Sequence, residues 1–175
     1  SMGVFVSAAF AAVNRIDDFA YMPQQNIAHA MTALMAQNKG AKKTDRIKAA
    51  FRCGMKIELF YGIFIFFVCF FLAHPLMQLF SNDPVVCKHG VTYLKLISLM
   101  YLFPAVTNGV QGYFRGIGDL KITLISSFVN MSVRVIFAAV LVFHFSLQIE
   151  ALPFSYLAGW IGMLLAEVPL LLRKF

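Results

Sequence analysis

Charge is what this sequence has least of. Asp, Glu, Lys and Arg fill 13% of its 175 positions, about half of the ~25% usual in a soluble domain. Acids are scarcer still, eight against fifteen Lys and Arg. So little charge excludes an ordinary soluble fold. It also leaves no water-facing surface on which the basic excess could serve a nucleic acid, so no nucleic-acid partner is expected. Cysteine is rare: Cys53, Cys69 and Cys87 fall at three different depths along the apolar pattern, too far apart to pair. No Ser/His/Asp set, pair of catalytic acids or metal-ligand spacing shares a depth, which argues against a membrane-embedded hydrolase or transferase. His74, His89 and His144 lie on separate helix ends and read as interface histidines. No metal and no cofactor is expected. Linkers, low-complexity tracts and a basic-headed signal peptide are missing too, so residues 1–175 read as a single unit.

Long apolar runs take up the rest. Hydrophobic residues make up 60% of the chain and the mean hydropathy is +0.75. A bilayer core about 30 Å thick takes roughly 20 apolar residues as a helix. Five stretches meet that length: 19–38, whose pattern extends upstream through 4–13, then 59–80, 96–114, 122–145 and 151–172. With flanking residues the spans run over about 4–38, 57–80, 91–114, 120–145 and 151–172. Each backbone N–H must then bond within its own helix, because lipid offers no partner. The expected fold is all-α, a polytopic bundle of five transmembrane helices with the lipid bilayer as its solvent.

Basic residues give the orientation. Lys39, Lys42, Lys43, Arg46, Lys48, Arg52 and Lys56 crowd the first connection, Arg115 and Lys121 the third, and Arg173 and Lys174 follow the fifth span. The second and fourth connections, 81–90 and 146–150, hold Lys88 alone. By the positive-inside rule the three basic segments are cytoplasmic, and an alternating five-span path puts all three on one side. The N-terminus is then outside and the C-terminus inside. Preceding helices, odd in number, would carry the N-terminus across, so the chain is expected to be the tail of a larger membrane protein.

Polar residues inside the spans mark candidate sites, since each is costly in hydrocarbon. In the first span Asp17, Tyr21 and Gln24 share one face, and Asp18, Gln25, His29 and Thr32 the next. Arg15 is close enough in sequence to neutralise an acid, and Pro23 is expected to kink the helix. Either this half lines a cavity or its acids are solvated at the outer interface. In the third span Pro104, Asn108, Gln111 and Arg115 form a stripe with Tyr101 one turn above; in the fourth, Ser126, Asn130 and Arg134 form another. An Arg at mid-span costs about 2.5–3.5 kcal/mol, so Arg134 should face water, a carboxylate or backbone carbonyls. The amides serve equally well as bonds between helices or as ligand contacts. Ala158, Gly162 and Ala166 offer a small-residue seam, and Glu167 is expected to be solvated or paired with Arg173 or Lys174. The Phe residues of the second span should face lipid.

Two connecting segments carry motifs. The first is Gln37-Asn38-Lys39-Gly40-Ala41-Lys42-Lys43, followed by Asp45-Arg46; the second is Tyr113-Phe114-Arg115-Gly116-Ile117-Gly118-Asp119. Gly40, Gly116 and Gly118 suit tight turns, Gln37 and Asn38 can cap helix ends, and Lys42, Lys43 and Arg46 can hold anionic headgroups at about 1 kcal/mol each. The pair resembles the Q-N-x-G-A-x-x-x-x-R and R-G-x-G-D signatures of the multidrug and toxic compound extrusion (MATE) family. Pro23, Pro104 and Leu79-Phe80 followed by Asp83 add to the likeness, which covers essentially the whole chain. It implies twelve helices in two lobes around a central cavity, with this chain as helices eight to twelve. It further implies export of cationic and amphipathic compounds by antiport with sodium ions or protons, through a partner set of N-terminal helices. The family's coupling carboxylates lie on its first, seventh and tenth helices. The tenth corresponds to 96–114, which has no acid, so either coupling uses the half that precedes this chain or Asp17 and Asp18 take part. Alternatives are a lipid-linked oligosaccharide flippase of the same superfamily and a non-functional transporter fragment.

Overall fold

The computed structural model describes residues 2–145 and 151–174; the fourth connection, 146–150, and the side chain of His144 lie outside them. The described residues form seven helices and no strand. α1 (Met2–Gly40) is 39 residues long and runs through Pro23 without ending there. At 1.5 Å per residue it is roughly 58 Å long. α2 (Thr44–Phe71) continues into the short α3 (Ala73–Gln78). α4 (Pro84–Ser98) starts where Asp83 accepts hydrogen bonds from the N–H groups of Val85 and Val86, at 2.8 and 3.2 Å, with Pro84 following as the first helical residue. Such a start satisfies two otherwise orphaned donors. α5 (Leu102–Gly116), α6 (Leu120–Phe145) and α7 (Ala151–Leu172) complete the chain.

Three helices are long and apolar enough to cross a bilayer, Thr44–Phe71, Leu120–Phe143 and Pro153–Leu172. α4 and α5 make a fourth crossing if their two limbs, bent by 46°, are one span. α1 has the length but not the hydropathy, because Gln24, Gln25, Asn26 and His29 interrupt its uncharged half. The third run is therefore two helices. Pro104 explains the break: it cannot donate to the Met100 carbonyl, and its ring clashes there. Residues 99–101 form a tight turn instead, with the Met100 N–H bonded to the Ile97 carbonyl at 2.8 Å.

α1, α2, α4 and α5 pack as a bundle with two apolar clusters. Near one end Val13, Ile16 and Ala20 meet Cys69, Met77, Leu94, Ile97 and Tyr101. Near the other Met31 and Met35 meet Ile47, Val110, Tyr113 and Phe114. Between the clusters lies a belt of buried polar side chains, Gln24, Glu58, Thr107 and Asn108. α6 and α7 pair as a hairpin beside this bundle. Their seam runs through Gly159, against the Arg134 stem, and Gly162, against Val129 and Val133, so Gly162 belongs to the small-residue seam and Gly159 extends it. Phe60, Phe64, Phe67 and Phe71 are exposed along one face of α2, a stripe suited to lipid. Cys53, Cys69 and Cys87 are free.

Both motif segments close a helix in the same way. After α5 the Asp119 N–H reaches the Phe114 carbonyl and the Gly118 N–H the Arg115 carbonyl, with Gly118 at φ +76°. After α1 the Lys43 N–H reaches the Asn38 carbonyl and the Lys42 N–H the Lys39 carbonyl, with Lys42 at φ +58°. These are paired six-residue end turns with one left-handed residue each. Gly40 is not that residue, contrary to expectation: it is the last helical position, with open space around it. Gly116 is not a turn residue either. It lets α5 approach α1, where a Cβ would lie 3.0 Å from the Thr32 carbonyl oxygen. Gln37 and Ala41 are exposed, and the Asn38 side chain donates to the Leu34 carbonyl at 2.8 Å. Lys39 donates to the Ile117 carbonyl, and Lys174 pairs with Asp119, tying the ends of α1, α5 and α7 together.

Candidate functional site

A cavity of about 420 Å³ opens where the bundle meets the hairpin. α1 brings Asp17 and Tyr21, one turn apart; α5 brings Tyr101, Pro104, Thr107, Asn108 and Gln111; α6 brings Ser127, Asn130, Met131 and Arg134; α7 brings Tyr156, Trp160 and Met163. Six of the eight side chains expected from sequence converge here: Asp17, Tyr101, Asn108, Gln111, Asn130 and Arg134. They do so because both polar stripes keep a helical period and their helices face each other. The other two do not line it. Asp18, one residue on from Asp17, is rotated to the exposed surface. Gln24 is fully buried below the cavity, its amide 3.3 Å from the Tyr101 carbonyl.

Tyr21 donates to Asn108 Oδ1 at 3.2 Å, and the Gln111 amide reaches Ser127 Oγ at 3.4 Å. Asn130 points its amide at Met163 Sδ, 3.5 Å away. Arg115, beyond the cavity, donates to the Gln111 carbonyl at 3.3 Å. Arg134 does not meet a carboxylate or a carbonyl. Its guanidinium lies over the Tyr156 ring, 3.9 Å from the centroid, where the ring's negative face attracts a cation. Arg15 is exposed and forms no ion pair with Asp17 or Asp18 among the described residues. Asp17 therefore stands as the acid of a wall that otherwise carries aromatic, amide and hydroxyl groups, Met131, Met163 and the Arg134 guanidinium.

Two buried carboxyls lie outside this lining. Glu167 is fully buried, neither solvated nor paired with Arg173 or Lys174 as its position near the chain's end suggested, and among the described residues neither oxygen is hydrogen-bonded. Glu58 is the residue that the pattern of runs missed. It adjoins the basic segment, but α2 starts at Thr44, which sets Glu58 mid-helix, fully buried and with no bond to either oxygen. The available signal was glycine one turn to each side, Gly54 and Gly62, a face that another helix can approach closely.

A family model described as MatE matches residues 1–140. A probable multidrug resistance protein NorM of Thermotoga maritima is 25% identical over 150 residues, 85% of this chain and 31% of that protein. Among solved structures, an inward-facing multidrug resistance MATE family transporter of the MOP superfamily superposes with a TM-score of 0.82. That alignment covers 94% of this chain and 39% of that one, at 18% identity. A MOP superfamily transporter from Pyrococcus furiosus gives 0.84 over 98% of this chain and 42% of that one, at 17% identity. At those identities the structural likeness speaks for the fold alone. The chain spans about a third of the length of the curated relatives it matches.

Proposed function

This chain belongs to the MatE family, and we propose that it supplies the C-terminal lobe helices of an ion-coupled transporter that exports cationic and amphipathic compounds. The observation that carries this reading is the cavity between bundle and hairpin, lined by one carboxylate, Asp17, together with the aromatic side chains of Tyr21, Tyr101, Tyr156 and Trp160. Aromatic faces hold flat apolar groups and attract cations. The carboxylate holds whichever positive charge is present, the substrate's or the coupling ion's, sodium or a proton. Competition for one acid is the simplest form of antiport: binding of either partner releases the other. The N-terminal helices of the whole transporter close the cavity's open side. The assembly sits in the plasma or inner membrane with the Lys39–Arg46 and Arg115–Lys121 turns in the cytoplasm, the N-terminus of this segment outside and its C-terminus inside.

The test is ion-gradient-driven efflux in proteoliposomes of the transporter that contains this chain. Asp17→Asn is expected to lower coupled efflux at least tenfold, while Asp18→Asn, at an exposed position, leaves it within about twofold. Unchanged coupling in Asp17→Asn refutes the assignment. A second reading, movement of an anionic amphiphile such as a lipid-linked oligosaccharide, draws on Arg134, a guanidinium on the same wall. Efflux of a cationic and an anionic dye of like size separates the two, since the main reading requires preference for the cation.

A further inference from the structure

Glu58 lies outside the cavity described above, and its surroundings suit a different ligand. Gly54, Glu58 and Gly62 recur every four residues and so share one face of α2. Gly54 packs on Met31 of α1; at Gly62 a Cβ would lie 3.5 Å from the Gln24 amide and 3.1 Å from Ala105 of α5. The neighbouring Met55 covers Gly109 of α5. Glu58, one turn from each glycine, therefore faces the stretch of α1 between Gln24 and Met31 and the stretch of α5 around Asn108. That is the polar belt between the two apolar clusters.

No cation faces it. On α2 itself Lys56 is exposed, and the Tyr61 hydroxyl is bonded to the Ala20 carbonyl at 3.1 Å. From α1 the titratable groups on this side are Tyr21, bonded to Asn108, and one turn further Asp17. α5 has no Lys or Arg before Arg115, two turns beyond Asn108 and bonded to the Gln111 carbonyl. On α4, Lys95 lies over the Phe70 ring, three turns along α2, and His74 of α3 is farther still and exposed. An ionised carboxylate buried without a partner is strongly disfavoured. The neutral acid, by contrast, suits the groups left over in the same belt. Among the described residues Gln24 Oε1 is a buried acceptor with no donor and Asn108 Nδ2 a buried donor with no acceptor, and neither is bonded to Glu58. A carboxylic acid has one O–H for an acceptor of the first kind and one C=O for a donor of the second. The closely packed glycine faces leave room for a proton, which needs no coordination shell, rather than for a sodium ion with its several oxygen ligands.

We propose that Glu58 is a proton-binding site in its own right, separate from the Asp17 cavity, and that the α1–α2–α5 seam closes only around its neutral form. Loss of the proton then forces the seam to admit water, so protonation and helix packing are linked. The experiment is infrared spectroscopy of the whole transporter in lipid nanodiscs, with amide hydrogen exchange alongside. At neutral pH the carbonyl band of protonated carboxylic acid should lose one component in Glu58→Gln and shift it in Glu58→Asp, the variant that keeps the acid if the amide folds poorly. Raising the pH until that component disappears should lower the protection of Gly54–Gly62, measured relative to the intrinsic base-catalysed exchange rate at each pH, at least tenfold in the wild type and not in Glu58→Gln. A band unchanged in both variants overturns the proposal. So does a band removed by sodium at constant pH, which would make the ligand an alkali ion. Neither readout uses transport, so a failure of drug export leaves this site standing, and its failure leaves the Asp17 reading intact.

Discussion

The bundle and the hairpin are built from different materials. α1, α2, α4 and α5 bury nearly every apolar side chain that this chain buries, in two clusters with a thin polar belt between. Among the described residues of α6 and α7, Met163 is the buried hydrophobic side chain, beside buried Ser126, Ser155 and Glu167. Leu124, Phe128, Val135 and Leu165 stay exposed on the hairpin. In lipid, burying apolar surface drives little association, so packing fit and polar contacts decide how firmly helices hold. By that measure the bundle is a fixed base, and the hairpin is held by a glycine seam within itself, by polar contacts to its neighbour and by Ile122, Leu170 and Leu171 packed against the second cluster. The cavity sits at the joint between them.

Glycine replacement tests this contrast with the largest expected effect. At Gly112 of α5 a Cβ would lie 2.9 Å from the Ala28 carbonyl oxygen, which is backbone and cannot give way. At Gly159 of α7 the nearest obstacle is the flexible Arg134 stem, with the Asn130 carbonyl oxygen beyond it at 3.1 Å. Gly112→Leu should cost ~3 kcal/mol or prevent assembly, and Gly159→Leu about 1 kcal/mol, within the usual range for overpacking. Thermal unfolding of the detergent-solubilised transporter, read by its yield of monodisperse protein, measures both. Equal losses would mean that the hairpin is as rigidly held as the bundle.

The same contrast governs what could be read from sequence. Helices and connecting motifs were legible because lipid demands long apolar runs and the basic ends stand out against them. Tyr101, Asn108, Gln111, Asn130 and Arg134 were legible because a helical period of polar residues in an apolar run has few explanations. The break at 99–101 was not seen, since the run stays apolar across it, although Pro104 marks the place. Glu58 was passed over and Glu167 misread for one reason: each adjoins a basic segment in sequence, and burial depends on which helix covers it. Asp18 lies about 100° of helix rotation from Asp17 and outside the cavity lining, a difference that needs the position of the neighbouring helices.

A smaller effect is expected at the joint itself. Arg134 occupies the Tyr156 face, so it competes with any cation that would use the ring. Arg134→Ala should raise the affinity for a quaternary ammonium probe about fivefold, the equivalent of ~1 kcal/mol for one cation–π contact. Tyr156→Leu in the same background should abolish the gain. Equilibrium binding of the labelled probe to the whole transporter decides, and weaker binding in Arg134→Ala would assign Arg134 to an anionic substrate instead.

The smallest effect comes from the two end turns, one inside the bundle and one leading out of it. Lys42 and Gly118 hold the same left-handed position, which costs an L-residue roughly 1–2 kcal/mol and glycine almost nothing. Lys42→Gly should therefore stabilise the transporter by about 0.5–1 kcal/mol, and Gly118→Ala should destabilise it by about 1 kcal/mol. The two changes differ in reach. Lys42 is exposed and its turn joins α1 to α2 within the bundle, so its replacement should alter stability alone. Gly118 precedes Asp119, whose carboxylate holds Lys174 at the end of α7, so strain there loosens the tie between bundle and hairpin. Hydrogen exchange in α7 should rise in Gly118→Ala and stay unchanged in Lys42→Gly; a rise in both would mean that the hairpin is held by the bundle as a whole rather than by that tie.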